Sequence, residues 1–143
     1  MPLKGYESLC KEHQERIVCR DRGENRIYRA WNSDKCRVTQ YQIDGCVIQD
    51  TGARCDFLLM NEDKRNAYLI ELKGSDIEHG IDQLEATAKR LREELSPYAL
   101  KYRLVHSRAK THAINGTKFK KFCREHCGNG EFIHKESILE ERI

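Results

Sequence analysis

Residues 52–74 read GARCDFLLMNEDKRNAYLIELKG, two apolar runs joined by six polar residues. Short runs rich in Leu, Ile, Tyr and Phe on either side of a polar turn form a β-hairpin. Asp56 enters the first run, and Glu71 and Lys73 close the second. Two residues apart on one strand, Glu71 and Lys73 leave the same face roughly 7 Å from each other. Asp56 falls on the neighbouring strand, close enough to share a metal with Glu71. The bland alternative is an exposed hairpin with cross-strand ion pairs. Against it, CDFLL and LIELK set their charges among residues that favour burial.

The remaining elements surround this hairpin. Tyr6, Leu9, Cys10, His13 and Ile17 recur at helical spacing, which predicts a short helix over 5–19. The DRGEN cluster at 21–25 ends it. RIYRAWN and CRVTQYQIDGCVI read as strands around an Asn32–Lys35 turn, with Gly45 marking a bulge or bend. QDTGA is a turn leading to the hairpin. Ser75-Asp76-Ile77-Glu78 is a capping-box pattern that starts a helix. Its stripe Ile77, Ile81, Leu84, Ala88, Leu91 and Leu95 packs on a sheet or forms a dimer seam, and Pro97 ends it. YALKYRLVHS is a strand, THAING a loop, TKFKKFCREHC a basic helix and EFIHKE a last strand. The tail SILEERI reads as a helical turn or a frayed end. The order α-β-β-β-β-α-β-α-β describes one domain over 1–143, α/β or α+β, with a mixed central β-sheet flanked by helices.

A chain of 143 residues forms a single domain with an ordinary core. No apolar run approaches the ~20 residues of a membrane span, and the N-terminus lacks the apolar centre of a signal peptide. A cytoplasmic protein with no membrane partner is expected. Seven scattered cysteines, an odd number, suit a reduced protein with thiols buried as small hydrophobes. The net charge of +3 conceals an asymmetry: residues 89–124 hold eleven Lys or Arg against Glu93 and Glu94. A basic segment in an otherwise acidic chain points to a polyanionic partner, with Lys118, Lys120, Lys121 and Arg124 as its contacts. A solvated lysine-rich surface is the alternative.

A phosphodiester resists attack because its oxygens are negative and the nucleophile is water. A divalent ion screens that charge and lowers the pKa of bound water. Hard oxygen ligands favour Mg²⁺, which takes one or two protein carboxylates and keeps several waters. Asp56 and Glu71 supply such a pair, and Lys73 can orient water or stabilise the charge that builds on phosphate.

The Asp56…Glu71-Leu72-Lys73 pattern, with fourteen residues between the two acids, resembles the PD-(D/E)XK, or restriction-endonuclease-like, nuclease superfamily. Element order extends the resemblance over about residues 5–107. It implies a restriction-endonuclease-like core, Asp56 and Glu71 as ligands of Mg²⁺ or Mn²⁺ with the Leu72 carbonyl completing the site, and Lys73 as the water-positioning base. The chain departs from the pattern at Cys55, where the family has proline. Many members add a first-helix acid, for which Glu12 and Glu15 both qualify. Gln83 sits where some exonuclease branches carry a Gln-x-x-x-Tyr motif, but Thr87 replaces the tyrosine. Asp44 in QIDG is a further acid that can point into the same cleft.

Cys123, His126 and Cys127, with Cys10 and His13, have zinc-ligand chemistry but match no finger spacing. Too few late cysteines are present for an iron–sulfur nuclease. His79, His106, His112 and His134 show no nucleophile–base pairing, and no Gly-rich phosphate loop is present. The reading is a small metal-dependent nuclease, a hydrolase acting on DNA or RNA. The alternatives are a nuclease-like fold that binds without cutting, or the cleavage subunit of a larger defence or repair assembly. Cutting both strands of a duplex calls for two copies, so a homodimer is expected, through a sheet edge or the N-terminal hairpin.

Overall fold

The computed structural model describes residues 3–143 apart from 22, 48–51, 53, 54, 74, 75, 108–115 and 129, and of Lys73 the backbone alone. The THAING loop, the QDTGA turn and Ser75 fall largely or wholly outside the described residues. Five strands open the chain: β1 (Arg16–Cys19), β2 (Ile27–Trp31), β3 (Val38–Gln42), β4 (Phe57–Asn61) and β5 (Asn66–Lys73). Helices α1 (Ile77–Arg90) and α2 (Arg92–Leu95) follow, then β6 (Ala99–His106), α3 (Thr117–Glu125), β7 (Phe132–Glu136) and β8 (Ile138–Arg142).

The expected hairpin forms. Antiparallel β4 and β5 pair from Phe57↔Ile70 to Asn61↔Asn66. It lies inside a mixed five-stranded sheet ordered β3-β4-β5-β6-β7, in which β5, β6 and β7 run parallel. All of β4 is buried because both faces of the sheet are covered. One face, with Leu58, Met60, Ala67 and Leu69, packs under Ile77, Ile81 and Leu84 of α1 and Phe119 and Phe122 of α3. The other, with Leu59, Tyr68, Ile70 and Leu72, meets Ile17, Tyr28, Ala30 and Leu139 of a three-stranded sheet ordered β1-β2-β8. The fold is mixed α+β in three layers: helices, large sheet, small sheet.

Three expectations are corrected. Residues 5–15 form turns, not a helix, and β1 begins at Arg16. This segment lies against the edge of β3, where Leu9 N–H bonds to the Gln40 carbonyl at 2.7 Å and Val38 N–H to the Glu12 carbonyl at 2.7 Å. Sheet pairing outcompetes the helical pattern, and Leu9 and Tyr6 stay 60% and 44% exposed. The tail is strand β8, pairing parallel with β2 from Ile27↔Ile138 to Trp31↔Arg142. Its charges hid the alternation: Leu139 is buried, while Glu141 points inward and needs a partner found elsewhere in the chain. The helix cap is Asp76, whose carboxylate accepts from His79 N–H at 3.0 Å.

The apolar stripe is core. Ile77, Ile81 and Leu84 are fully buried and Leu91 and Leu95 nearly so, which removes this face from any dimer seam. Gly45 has φ +81°, the left-handed bend the sequence suggested. Among the described residues no helix is long and apolar enough to cross a membrane. Among the described residues no disulfide forms, and Cys10, Cys19, Cys36 and Cys55 are buried. Burial pushes the Cys19 thiol up to about 12, so it stays protonated and inert.

Between the sheets lies one charged cluster. Arg103 on β6, 3% exposed, donates through Nε to Glu141 Oε2 at 2.6 Å. The buried Tyr28 hydroxyl donates to the same oxygen at 2.7 Å. The guanidinium also stacks over Tyr68 at 5.3 Å and bonds to the carbonyls of Tyr102 and Glu131. Removing one member strands the other's charge, which costs about 3–5 kcal/mol. Glu141→Leu should therefore lower the urea midpoint by an amount equivalent to roughly 3 kcal/mol at unchanged m-value. The double variant Arg103→Met/Glu141→Leu should lose markedly less. Charged substitutions at Leu84 and Leu91 should abolish folding, read as loss of cooperative melting, rather than yield a folded monomer.

Candidate active site

Asp56 precedes β4 and lies beside Glu71 at the C-terminal end of β5. Its backbone N–H bonds to the Ile70 carbonyl at 3.1 Å, and its Oδ2 accepts from Leu72 N–H at 2.8 Å. Both bonds go to the neighbours of Glu71, so the aspartate straddles the glutamate. Strand alternation places Glu71 on the helix-covered face with Ala67 and Leu69. Glu71 is only 2% exposed, whereas Asp56 is half-buried. Both carboxylates bear on the adjoining Cys55 thiol, whose pKa rises through burial first and then through Glu71 and Asp56. Lys73 ends β5 opposite His106.

Helix α1 holds the approach to Asp56. The Thr87 hydroxyl accepts from Cys55 N–H at 2.6 Å and donates to the Gln83 carbonyl at 2.8 Å. Thr87 is fully buried, so the residue that breaks the exonuclease pattern is the one that ties the helix to the hairpin. Gln83 sits one turn earlier on the same helix face, half-buried.

Glu12 and Glu15 lie elsewhere. Glu12 is exposed and pairs with Arg37 at 3.0 Å, and its carbonyl meets Val38, at the end of β3 remote from Asp56. Glu15, also exposed, meets Asn32 through its carbonyl. With no first helix to carry them, neither joins the carboxylate pair. Asp44 acts on Asp21, whose carboxyl is raised by burial, then Glu24, then Asp44. Asp44 follows Ile43, whose N–H bonds to the Asp56 carbonyl at 2.8 Å, so its backbone lies beside the segment that carries Asp56.

Of the basic set, Lys118 pairs with Asp82 of α1, and Lys121 lies 3.8 Å from Glu125. Lys120 and Arg124 are exposed on the outer face of α3, opposite buried Phe119 and Phe122. His126 bonds to Glu131 at 3.1 Å and stacks on Phe122. Among the described residues no three His, Cys, Asp or Glu side chains converge as a metal-binding group, so the zinc grouping does not assemble.

Sequence reading missed a histidine pair. His106 Nδ1 is 2.8 Å from the Ser107 carbonyl, which can only accept, so that nitrogen carries the proton. Its Nε2 lies 3.2 Å from His134 Nδ1, and the rings stack at 28°. The row Glu71↔Leu104↔His134 crosses β5, β6 and β7, placing His134 two strands, about 10 Å, from Glu71 on the same face.

Burial lowers the His134 pKa, with His106 and then Lys135 adding to the effect. The native state thus withholds a proton that the unfolded chain accepts below about pH 6.5. This group's contribution should fall as pH drops from 6.5 through the lowered native value. An NMR titration should place the His134 midpoint below the ordinary histidine value, and His106→Gln should move it back toward that value. Compared with protein-family models, curated proteins and solved structures, the chain matches none.

Proposed function

We propose that the chain is a metal-dependent nuclease that hydrolyses phosphodiester bonds of DNA at a centre built on Asp56 and Glu71. One observation carries the reading. Two carboxylates, one almost fully buried, are held side by side across a hairpin at the C-terminal end of a parallel strand. The donor set fits Mg²⁺ or Mn²⁺, which accept one or two carboxylates, a backbone carbonyl and water. Asp56 and Glu71 would hold the ion, with the Leu72 carbonyl as a third donor. The β3–β4–β5 meander, helix α1 and parallel β6 support the reading of a restriction-endonuclease-like core, although no helix precedes β3 among the described residues.

When bound, the metal screens phosphate charge and lowers the pKa of water. The chain's own residues prepare that step. Leu72 N–H orients the Asp56 carboxylate. The core beneath α1 shields Glu71 from bulk water, which strengthens its field on an ion. Thr87 fixes the backbone that enters Asp56. Lys73, two residues beyond Glu71 on the same strand, takes the role of positioning the attacking water.

One feature favours a second reading, a nuclease-like fold that binds without cutting: the Asp56 carboxylate also extends the β5 ladder through Leu72 N–H, a structural use of the side chain. Calorimetric titration of Mn²⁺ separates the two. The wild type should bind, the Asp56→Asn/Glu71→Gln double variant should not, and Lys73→Ala should largely retain binding. Cleavage of labelled single- and double-stranded DNA and RNA with Mn²⁺ or Mg²⁺ should fall by about two orders of magnitude or more in each single variant. Unchanged metal binding in the double variant would sink the site assignment. Binding without cleavage would establish the second reading.

A further inference from the structure

The small sheet buries one face and leaves the other open. Ile17, Tyr28, Ala30 and Leu139 point to the core, so alternation turns a second set outward. One outward row is Arg16↔Trp31↔Arg142, with the tryptophan between two arginines. The next is Val18↔Arg29↔Glu140. Arg20 follows β1, and Ile138 at the start of β8 is 48% exposed. Among the described residues the carboxylate that β1, β2 and β8 turn to this face is Glu140. Arg29 at 2.7 Å, and then Trp31, bond to it and hold its carboxyl below the ordinary range. Arg142 shares Asp34 of the following turn with Lys64.

A groove of about 660 Å³ continues this face past the edge of the small sheet. Arg16, Val18 and Arg20 form one wall, Gln42 and Phe57 the other, and among the described residues no carboxylate lines it. Gln40 closes its floor by donating to the Val18 carbonyl at 2.9 Å. Arg16 pairs with Trp31 and Phe57 immediately follows Asp56, so the groove lies between the Trp31 platform and the Asp56 end of β4, on the sheet face opposite Glu71. Helix α3 lies on the opposite side of the large sheet, so this surface is separate from the lysine-rich helix.

We propose that the outer face of the small sheet, with the Arg16–Arg20 groove, binds single-stranded nucleic acid and leads it toward Asp56. The guanidiniums match phosphate. Trp31, half-buried and set between Arg16 and Arg142, offers a ring on which an unstacked base can lie, the combination that single-strand binders use. A flat sheet has no protruding helix or ribbon to enter a duplex groove, which selects single-stranded segments. The proposal deepens the nuclease reading by naming its substrate form.

Trp31 is the chain's one tryptophan, so its fluorescence reports from the platform itself. In EDTA, where nothing is cut, single-stranded oligothymidylate should quench Trp31 and shield it from acrylamide. A duplex of equal length and polyglutamate of equal charge should do so far more weakly. Arg16→Ala/Arg20→Ala/Arg142→Ala should weaken binding about tenfold or more at low salt and reduce the slope of log affinity against log salt by about 2. Lys120→Ala/Lys121→Ala/Arg124→Ala should leave the quenching unchanged. Absent quenching and shielding in the wild type, equal quenching by polyglutamate, or a folded triple variant that binds as before would overturn the proposal. The wild-type arms decide it even if that variant does not fold. Quenching that persists in a chain with no metal-dependent cleavage would remove the catalytic reading alone.

Discussion

Burial of the β4–β5 hairpin on both faces is the constraint from which the remaining architecture follows. A strand covered on one side alternates apolar and polar residues; these two strands are apolar on both sides and need two covers. The stripe of α1 supplies one cover, joined by the phenylalanines of α3, and the inner face of β1, β2 and β8 supplies the other. Each large side chain placed there contributes about 1.5–3 kcal/mol. The chain's two ends both serve the second layer: β1 comes from residues near the start and β8 from the last residues, meeting on either side of β2.

The same arrangement explains why charge is tolerated in the interior. Arg103, Glu141 and Tyr28 lie between the two sheets, joined by short hydrogen bonds, with carbonyls taking further guanidinium donors. Such a cluster adds little net stability compared with apolar packing but is costly to break. It also selects the register of β8, because shifting the strand by one residue would turn Glu141 to solvent and leave Arg103 buried beside Tyr68. The last strand is thus specified by a polar contact as much as by Leu139.

A hairpin anchored so firmly holds Asp56 and Glu71 as neighbours at its end. Asp56 is fixed by two hydrogen bonds to β5 and by the Thr87 tie through Cys55. Preorganisation of this kind is what electrostatic catalysis requires. The helix-side face and the outer face of the small sheet both present cations, on opposite sides of the large sheet, but they differ in chemistry. On α3, two of the four basic side chains already have acidic partners. On the small sheet, Arg29 and Arg142 likewise have acidic partners, but the arginines flank an aromatic ring and a groove with no carboxylate among its described lining residues.

The hairpin, the Asp56–Glu71 juxtaposition, helix α1 with its buried stripe, and strands β2, β3, β6 and β7 were legible from sequence. Each rests on short-range periodicity or on a turn that closes within a few residues. Residues 5–15 misled because helical spacing was present while the edge of β3 offered backbone partners that no local pattern reveals. The tail misled for the converse reason: its strand pairs with residues more than a hundred positions away, and its inward glutamate makes sense only beside Arg103. The His106–His134 contact and the row Arg16–Trp31–Arg142 join strands distant in sequence, so neither leaves a local trace. By itself the sequence determined which segments are strands and helices wherever apolar period decides the matter, and which two carboxylates end the hairpin. Only tertiary structure decided which strands are neighbours and which charged groups face each other, because sheet pairing between distant segments depends on closing long loops around a shared core.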